Sequence, residues 1–251
     1  MQSAGGQPVR IAMTLMRLVP ALALAGCAVA PHPDSLDFVP FEAENRAAHA
    51  MNREVDRSVY GPAARAWGST VPEPVRRGIT NLRFNWKAPG EAIQYALQGR
   101  PERSANAALR FAVNTTFGLG GVLDPASGMG IEYRETNFDE TFFVWGIPEG
   151  GYVELPVGGP GTQRDWTGWV LDLALDPAFL LLPATGTDIL LGAGTLDIVN
   201  DRYVLDVPLT ELLHGSEDSY TALRISYLQN MRARLQGGTS LDQLEDIYAD
   251  Y

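Results

Sequence analysis

Proline and glycine divide this chain into short segments, and their spacing limits the length of the helices that the chain can form. The 251 residues include 26 glycines and 17 prolines. Between them, apolar residues recur at helical spacing, as in 87–99 and 101–116. The stretch 179–191 is strongly apolar, but Pro183 and Gly186 interrupt it. A membrane-spanning helix needs about 20 unbroken apolar residues, so this stretch is not predicted to span a membrane. The pattern predicts a mainly α-helical single domain of short amphipathic helices.

The breakers also predict where the helices end. Gly61-Pro62 is expected to end a helix that starts near Pro40, with a second short helix over 63–67. Separate segments are predicted over 72–84, 87–99, 101–116 and 138–145. The best strand candidate is 152–156, which predicts a minor β-hairpin or strand. A final helix over 220–235 is expected to be capped by Ser216. For 179–191, an interfacial segment and a buried hairpin both remain open.

The N-terminal region has the pattern of a lipoprotein signal peptide. Arg10 and Arg17 precede an apolar run that ends in Leu24-Ala25-Gly26 and then Cys27, the single cysteine of the chain. A cysteine at this position is typical of acylation, and the alternative is a buried free thiol. Two or more acyl chains hold a protein stably on a bilayer. The predicted organisation is a signal peptide over 1–26, a lipidated tether over 27–39, a helical domain over 40–235 and an acidic tail over 236–251. Met13 is an alternative start.

Charge is distributed unevenly along the mature chain. Residues 41–110 carry eleven Lys or Arg against seven Asp or Glu, whereas residues 111–251 carry six against twenty-one. The overall net charge of -11 argues against a nucleic-acid partner. Arginine binds phosphate with two parallel hydrogen bonds, so the first half is suited to phospholipid headgroups. A solvated charged face is the alternative.

No residue pattern predicts catalysis, a metal site or a cofactor. The three histidines are His32, His49 and His214, and they do not form a His-x-x-x-His zinc pair. There is no Gly-x-Ser-x-Gly nucleophile motif. The glycine cluster 118–121 follows polar residues instead of a strand, which argues against a nucleotide loop. The sequence therefore predicts a protein that is not an enzyme.

Several motifs in register resemble the MlaA (VacJ) family of outer-membrane lipoproteins. The most specific are Arg77-Gly78-Ile79-x-Asn81-Leu82-x-x-Asn85-Trp86-x-x-Pro89, then Arg110-Phe111-x-x-Asn114-Thr115-x-x-Gly118-x-Gly120-Gly121-x-x-Asp124, and finally Ser216-x-Asp218-x-Tyr220-x-x-x-Arg224-x-x-Tyr227-x-Gln229. The resemblance covers 41–232. Two departures are the Asp37-Phe38-Val39-Pro40 opening and the lack of a glycine before Trp145.

The resemblance implies a flat, ring-shaped helical domain that lies in the inner leaflet of the outer membrane and faces the periplasm. An amphipathic channel through the ring would take phospholipids from the outer leaflet and pass them to a periplasmic phospholipid carrier. A trimeric porin is the expected membrane partner. Ala28 after the cysteine, in place of aspartate, agrees with sorting to the outer membrane.

Candidate residues follow from these interpretations. The lipidation site is Cys27. Headgroup contacts are predicted at one or more of Arg76, Arg77, Arg83 and Arg110, with solvated or paired side chains as the alternative. A gate or hinge loop is predicted at Gly118, Gly120, Gly121, Gly128 and Gly130, with an ordinary connector as the alternative. Asn81, Asn85 and Asn114 are interpreted first as capping or buried hydrogen-bonding residues.

Three functions remain at this stage. The first is a lipid-transfer channel protein, and the second is an anchored enzyme such as a phospholipase or cell-wall hydrolase. The third is a structural lipoprotein that scaffolds porins or the envelope. Lipid breakdown by the purified protein would favour the second function, and the absence of bound phospholipid would favour the third.

Overall fold

The computed structural model of the protein describes residues 39–178 and 182–237, and these are mainly α-helical. The first half contains α1 (Glu42–Val55), α2 (Gly61–Thr70), α3 (Glu73–Leu97), α4 (Pro101–Phe117) and α5 (Pro125–Gly128). The second half contains α6 (Phe138–Val144), β1 (Tyr152–Leu155), β2 (Gly159–Thr162), α7 (Gln163–Ala174), α8 (Ala184–Val204), α9 (Asp206–Thr210) and α10 (Ser219–Leu235). The prediction of a mainly α-helical fold with a minor β-hairpin is confirmed. Cys27 lies outside the described residues.

The predicted break at Gly61-Pro62 is wrong. A π-helical turn over Asp56–Tyr60 joins α1 directly to α2. In that wide turn the N–H of Gly61 reaches back to the carbonyl of Asp56. Proline interrupts a helix because it lacks an N–H donor. Pro62 stands in the first turn of α2, and the widened turn accommodates it without ending the helix.

The segments predicted over 72–84 and 87–99 are one helix. α3 runs from Glu73 to Leu97 with Pro89 inside it. It packs against both α4 and α8 along its length. Pro89 removes one backbone hydrogen bond from the helix. Tertiary packing on two sides compensates for this loss and keeps the helix continuous. As a result, residues on either side of the proline share one helix and present one continuous face.

A small sheet and the last helix form the buried core. β1 and β2 pair antiparallel, with Tyr152 opposite Thr162, and this confirms the predicted strand. The ring of Tyr152 packs against a cluster of residues from α10, namely Tyr220, Leu228, Met231 and Leu235. The hairpin is therefore fixed to the C-terminal helix.

Two C-terminal predictions need revision. The cap of α10 is Asp218, which accepts a hydrogen bond from the N–H of Thr221, and the prediction of Ser216 as the cap is wrong. The residues from Ala184 to Val204 form one continuous helix, so the predicted interruption at Gly186 is also wrong, whereas residues 179–181 lie outside the described residues and the buried hairpin stays a prediction. Pro183 precedes the helix, where its fixed φ is compatible with helix initiation. Within residues 39–178 and 182–237, no helix combines the length and apolarity needed to cross a membrane.

Candidate functional site

A cavity of about 710 Å³ opens between α3, α7 and α8. Its apolar wall comes from all three helices, and it includes Trp86, Ile93, Leu97, Trp169, Leu173, Leu190, Leu191 and Ile198. Many of these side chains are exposed, with Trp169 at 52% and Ile198 at 55%. Apolar surface left open in a cavity of this size suits a ligand with hydrocarbon chains.

Two cations of α3 form the basic side of the cavity. Lys87 pairs with Glu135, and Arg83 pairs with the buried carboxylate of Asp197. Burial has the largest single effect on the pKa of Lys87 and lowers it, but the charge of Glu135, the hydrogen bond to Glu135 and the neighbouring Glu91 together outweigh burial and raise the pKa. The reciprocal charge of Lys87 lowers the pKa of Glu135 to about 2. Both side chains therefore stay charged at neutral pH, and both line the cavity.

Three acidic side chains of the cavity have no cation within salt-bridge distance among the described residues. Asp172 accepts hydrogen bonds from Gln94 Nε2 at 2.6 Å and from the N–H of Phe138 at 3.2 Å. Asp176 accepts one from the N–H of Ala178. Glu91 accepts one from the hydroxyl of Tyr133 at 2.7 Å. The cavity is therefore amphipathic, with an apolar wall and a polar wall that carries both signs of charge.

Burial changes the protonation of two of these acids. It raises the pKa of Glu91 to about 8, so Glu91 is largely protonated at neutral pH. It also raises the pKa of Asp172, to about 6, against the opposing effects of the Phe138 hydrogen bond and the Lys87 charge. Asp172 is therefore largely ionised at neutral pH.

The four arginines predicted to contact headgroups lie in different environments. Arg83 lines the cavity. Arg110 is buried and pairs with Asp124 at 2.8 Å, beside a smaller cavity of about 240 Å³. Arg76 donates to Asn200 of α8 at 2.8 Å, whereas Arg77 is exposed and pairs within its own helix. The structure brings Arg83 and the unpredicted Lys87 together, and it places the other three elsewhere.

The loop predicted as a gate or hinge follows α4. Its five glycines differ in conformation, since φ is positive in Gly120, Gly121 and Gly130, whereas Gly118 and Gly128 have no positive φ. A Cβ at Gly121 would lie 2.5 Å from the side chain of Asn85. The close approach of α3 to this loop therefore requires glycine at that position.

The asparagines fix this loop, as the sequence predicts. Asn85 Nδ2 donates to Thr115 Oγ1 and to the carbonyl of Gly120. Asn114 Nδ2 donates to Asp124 Oδ1, and Asn114 Oδ1 accepts from the N–H of Ala126. The bond to Thr115 joins α3 to α4, and the others close the loop onto these helices, so the interpretation of Asn85 and Asn114 as buried hydrogen-bonding residues is confirmed.

A second polar cluster joins distant parts of the chain. His49 Nε2 lies 2.9 Å from Ser219 Oγ, and His49 Nδ1 lies 3.2 Å from the carboxylate of Glu154. This order of groups resembles a catalytic triad. All three residues are at most 4% exposed, and none of them lines the cavity between α3, α7 and α8. The geometry suits a structural link between α1, β1 and α10, because a buried hydrogen-bonded network fixes the relative positions of its elements.

Sequence reasoning missed Lys87, Gln94, Glu135 and Asp172. Lys87 and Gln94 lie in α3 and share a face with Arg83, because positions 83, 87, 91 and 94 are spaced by about one helical turn. That spacing is visible in the sequence once the segment is treated as one helix. The contributions of Glu135 and Asp172 depend on the tertiary fold, and no local pattern marks them.

The fold and the cavity define a class, namely a mainly helical protein with an amphipathic cavity suited to a ligand that is part hydrocarbon and part polar. Comparison with known proteins identifies a family. The model of the family described as MlaA lipoprotein matches residues 38–234. The chain therefore belongs to the MlaA lipoprotein family.

Individual relatives agree with this membership. The intermembrane phospholipid transport system lipoprotein MlaA of Haemophilus influenzae is 32% identical, over 94% of this chain and 95% of that protein. The protein of the same name from Escherichia coli K12 is also 32% identical, over 86% of this chain and 85% of its own length. A structure solved in work on the structural basis for maintenance of bacterial outer membrane lipid asymmetry is similar in fold. Its TM-score is 0.66 at 31% identity, over 76% of this chain and 96% of the solved chain.

Proposed function

We propose that this protein is the lipoprotein component of a phospholipid transport system that maintains outer-membrane lipid asymmetry. It extracts mislocalised phospholipids from the outer leaflet through the amphipathic cavity and passes them to a periplasmic lipid carrier. The observation that carries the proposal is the cavity itself, in which tryptophan and leucine side chains face two paired cations. The names of the relatives support the same function and favour transport over catalysis.

The proposed location is the inner leaflet of the outer membrane, with a helical domain over 40–235 held by acyl chains on Cys27. Exposed apolar side chains support contact with a bilayer. Around the loop after α4, Phe117 is 73% exposed, Leu119 is 75% exposed and Met129 is 61% exposed. Large apolar patches on a surface are typical of membrane or protein contact. A trimeric porin is the proposed protein partner, and a flat ring around the cavity is the proposed shape.

Of the candidate arginines, Arg83 is proposed as a headgroup ligand because it lines the cavity with Lys87. A phosphate is bound best by adjacent, already charged donors. Arg76 and Arg77 are proposed as contacts with headgroups outside this cavity, and Arg110 is proposed as a contact at the smaller cavity that it lines. The glycines of the 118–130 loop are proposed to let the loop move at the cavity's margin.

Two glycines of α8 provide a matched test of the cavity. Gly194 lines the cavity, whereas Gly192 does not, and a Cβ at either position meets nothing within 4 Å. The change Gly194→Phe is therefore expected to fill the cavity without a steric clash in the helix. Gly192→Phe places the same side chain on the exposed side of the same helix and is the control.

The experiment measures phospholipid exposed in the outer leaflet of cells that lack the gene and carry each variant. Deletion is expected to raise exposed phospholipid, and wild type and Gly192→Phe are expected to restore the barrier. Gly194→Phe and Cys27→Ala are expected to fail, although both proteins are made. If Gly194→Phe restores the barrier, the cavity is not the route. If deletion changes nothing, transport is wrong and a structural role in scaffolding porins or the envelope takes its place.

A further inference from the structure

A buried polar atom in the cavity wall has no hydrogen-bond partner among the residues that the structure describes. The side chain of Gln94 is in the cavity wall, and the residue is only 7% exposed. Its Nε2 donates to Asp172 Oδ1 at 2.6 Å, which fixes the orientation of the amide. The opposite atom, Oε1, is buried and has no hydrogen-bond partner among the described residues. A buried acceptor without a donor costs free energy, so a ligand that supplies a donor is favoured here.

The neighbouring groups are also acceptors. Asp172 is ionised and accepts from two donors of the protein, neither of which is charged. Asp176 lines the same cavity and accepts only from a backbone N–H among the described residues. Two carboxylate side chains, and one amide whose oxygen has no partner in the described part of the chain, therefore lie in the wall of the cavity. The group that satisfies such a set is a cation with several N–H donors.

The two cations of the cavity, in contrast to these acceptors, already have partners of opposite charge. Lys87 and Arg83 are each paired with a carboxylate, Glu135 and Asp197, and both are drawn from α3. A phosphate competes well for such donors because it offers several acceptor oxygens. The cavity therefore carries donors suited to a phosphate and acceptors suited to an ammonium group, beside an apolar wall suited to acyl chains.

We propose that the cavity selects phospholipids with a primary ammonium in a zwitterionic headgroup, the phosphatidylethanolamine class, and that Gln94 and Asp172 bind the ammonium. This inference rests on the proposed function and adds the headgroup class. Three other headgroup types lack the match. The quaternary ammonium of phosphatidylcholine has no N–H for Gln94 Oε1. Phosphatidylglycerol has no positive charge for Asp172, and the extra carboxylate of phosphatidylserine is repelled by Asp172 and Asp176.

The test uses the full acylated protein, purified in detergent. It is incubated with vesicles of equal parts phosphatidylethanolamine, phosphatidylcholine and phosphatidylglycerol with identical acyl chains, and it is then re-isolated. Mass spectrometry measures the bound lipid. Wild type is expected to hold about ten times more phosphatidylethanolamine than either of the other two, the size of effect that one charge-assisted hydrogen-bonded group supplies.

Two carboxylate variants separate a binding site from a general charge effect. Asp172→Asn keeps the size of the side chain and an oxygen for the Phe138 N–H, but it is expected to lose the enrichment. Asp188→Asn removes the same charge from an exposed position of α8 outside the cavity, and it is expected to keep the enrichment.

The outcomes are distinguishable. If wild type binds lipid in the proportions of the vesicles, or if Asp172→Asn keeps the enrichment, the headgroup assignment is overturned and transport stands. If wild type recovers no phospholipid, the transport proposal fails together with the assignment. The first criterion needs only wild-type protein, so it holds even when a variant does not fold.

Discussion

At the scale of the residue, Glu91 couples the stability of the protein to pH. Burial raises its pKa from 4.5 to about 8 in the folded state. Between these two values the folded chain binds a proton at this position that the unfolded chain has released. Stability from this group is therefore full below pH 4.5 and falls as pH rises towards 8.

The change Glu91→Gln removes that titration while it keeps an acceptor for Tyr133. We expect the free energy of unfolding of the variant, relative to wild type, to increase steadily from pH 4.5 to pH 8 and then level off. Urea unfolding at pH 5, 6.5, 8 and 9 measures this difference. A difference that is constant across the series would show that Glu91 ionises normally in the folded protein.

Single residues also show what the sequence reveals about the site. Asn85 and Asn114 were predictable as hydrogen-bonding residues because asparagine satisfies backbone groups near turns, and the structure confirms them. The ammonium site was not predictable, since Gln94 and Asp172 are 78 positions apart and meet through a side-chain hydrogen bond. Neither composition nor local pattern indicates that these two residues meet, or that Gln94 Oε1 has no hydrogen-bond partner among the described residues.

At the scale of the element, the loop after α4 depends on some of its glycines and not on others. Gly121 has φ of +106° and stands against Asn85. Gly121→Ala adds both backbone strain and a clash, and we expect it to lower the free energy of unfolding by about 2–4 kcal/mol. Gly128→Ala lies in α5, where a Cβ meets nothing within 4 Å, so it is expected to be neutral or slightly stabilising. Thermal or urea unfolding compares the two, and equal losses would contradict this account.

The start of α10 provides another element-scale prediction. Asp218 caps the helix through the N–H of Thr221 and also pairs with Arg46. Asp218→Ala is expected to cost about 1 kcal/mol, the usual value of an N-cap. Ser216→Ala changes the residue that the sequence predicted as the cap, and we expect no measurable loss. Urea unfolding measures the loss of stability in each variant. A greater loss from Ser216→Ala than from Asp218→Ala would show that Ser216 is the N-cap.

The errors in helix boundaries have one physical origin. Gly61-Pro62 and Pro89 are strong local signals for the end of a helix, and both were interpreted in that way. The structure overrides them with a π-helical turn before Pro62 and with packing of α4 and α8 against α3, the helix that contains Pro89. Periodicity found the amphipathic segments correctly, because the helix period is a local property. It did not show that two segments are continuous, and continuity is what aligns Arg83 with Lys87 and Gln94.

At the scale of the whole molecule, contacts of α1 and the following π-helical turn with the second half of the chain close the fold. Asn45 bonds to the backbone of β1, and Arg46 reaches α10. A buried ion pair joins Asp56 of the π-helical turn to Arg202 of α8, at 2.6 Å and across 146 positions of sequence. Both side chains are at most 6% exposed. α8 also forms a wall of the cavity, so this ion pair ties the N-terminal helices to the candidate site.

Arg202→Ala leaves the buried carboxylate of Asp56 without its main partner, and the expected loss is about 3–5 kcal/mol. Adding Asp56→Asn removes the uncompensated charge, so the double variant is expected to be more stable than Arg202→Ala alone. Urea unfolding of both single variants and the double variant forms a double-mutant cycle. Arg77→Ala is the control, because its pair with Glu73 is 69% and 63% exposed and is expected to contribute less than about 1 kcal/mol. Strictly additive losses at Asp56 and Arg202 would mean that the two ends of the chain are joined by apolar packing instead of by this ion pair.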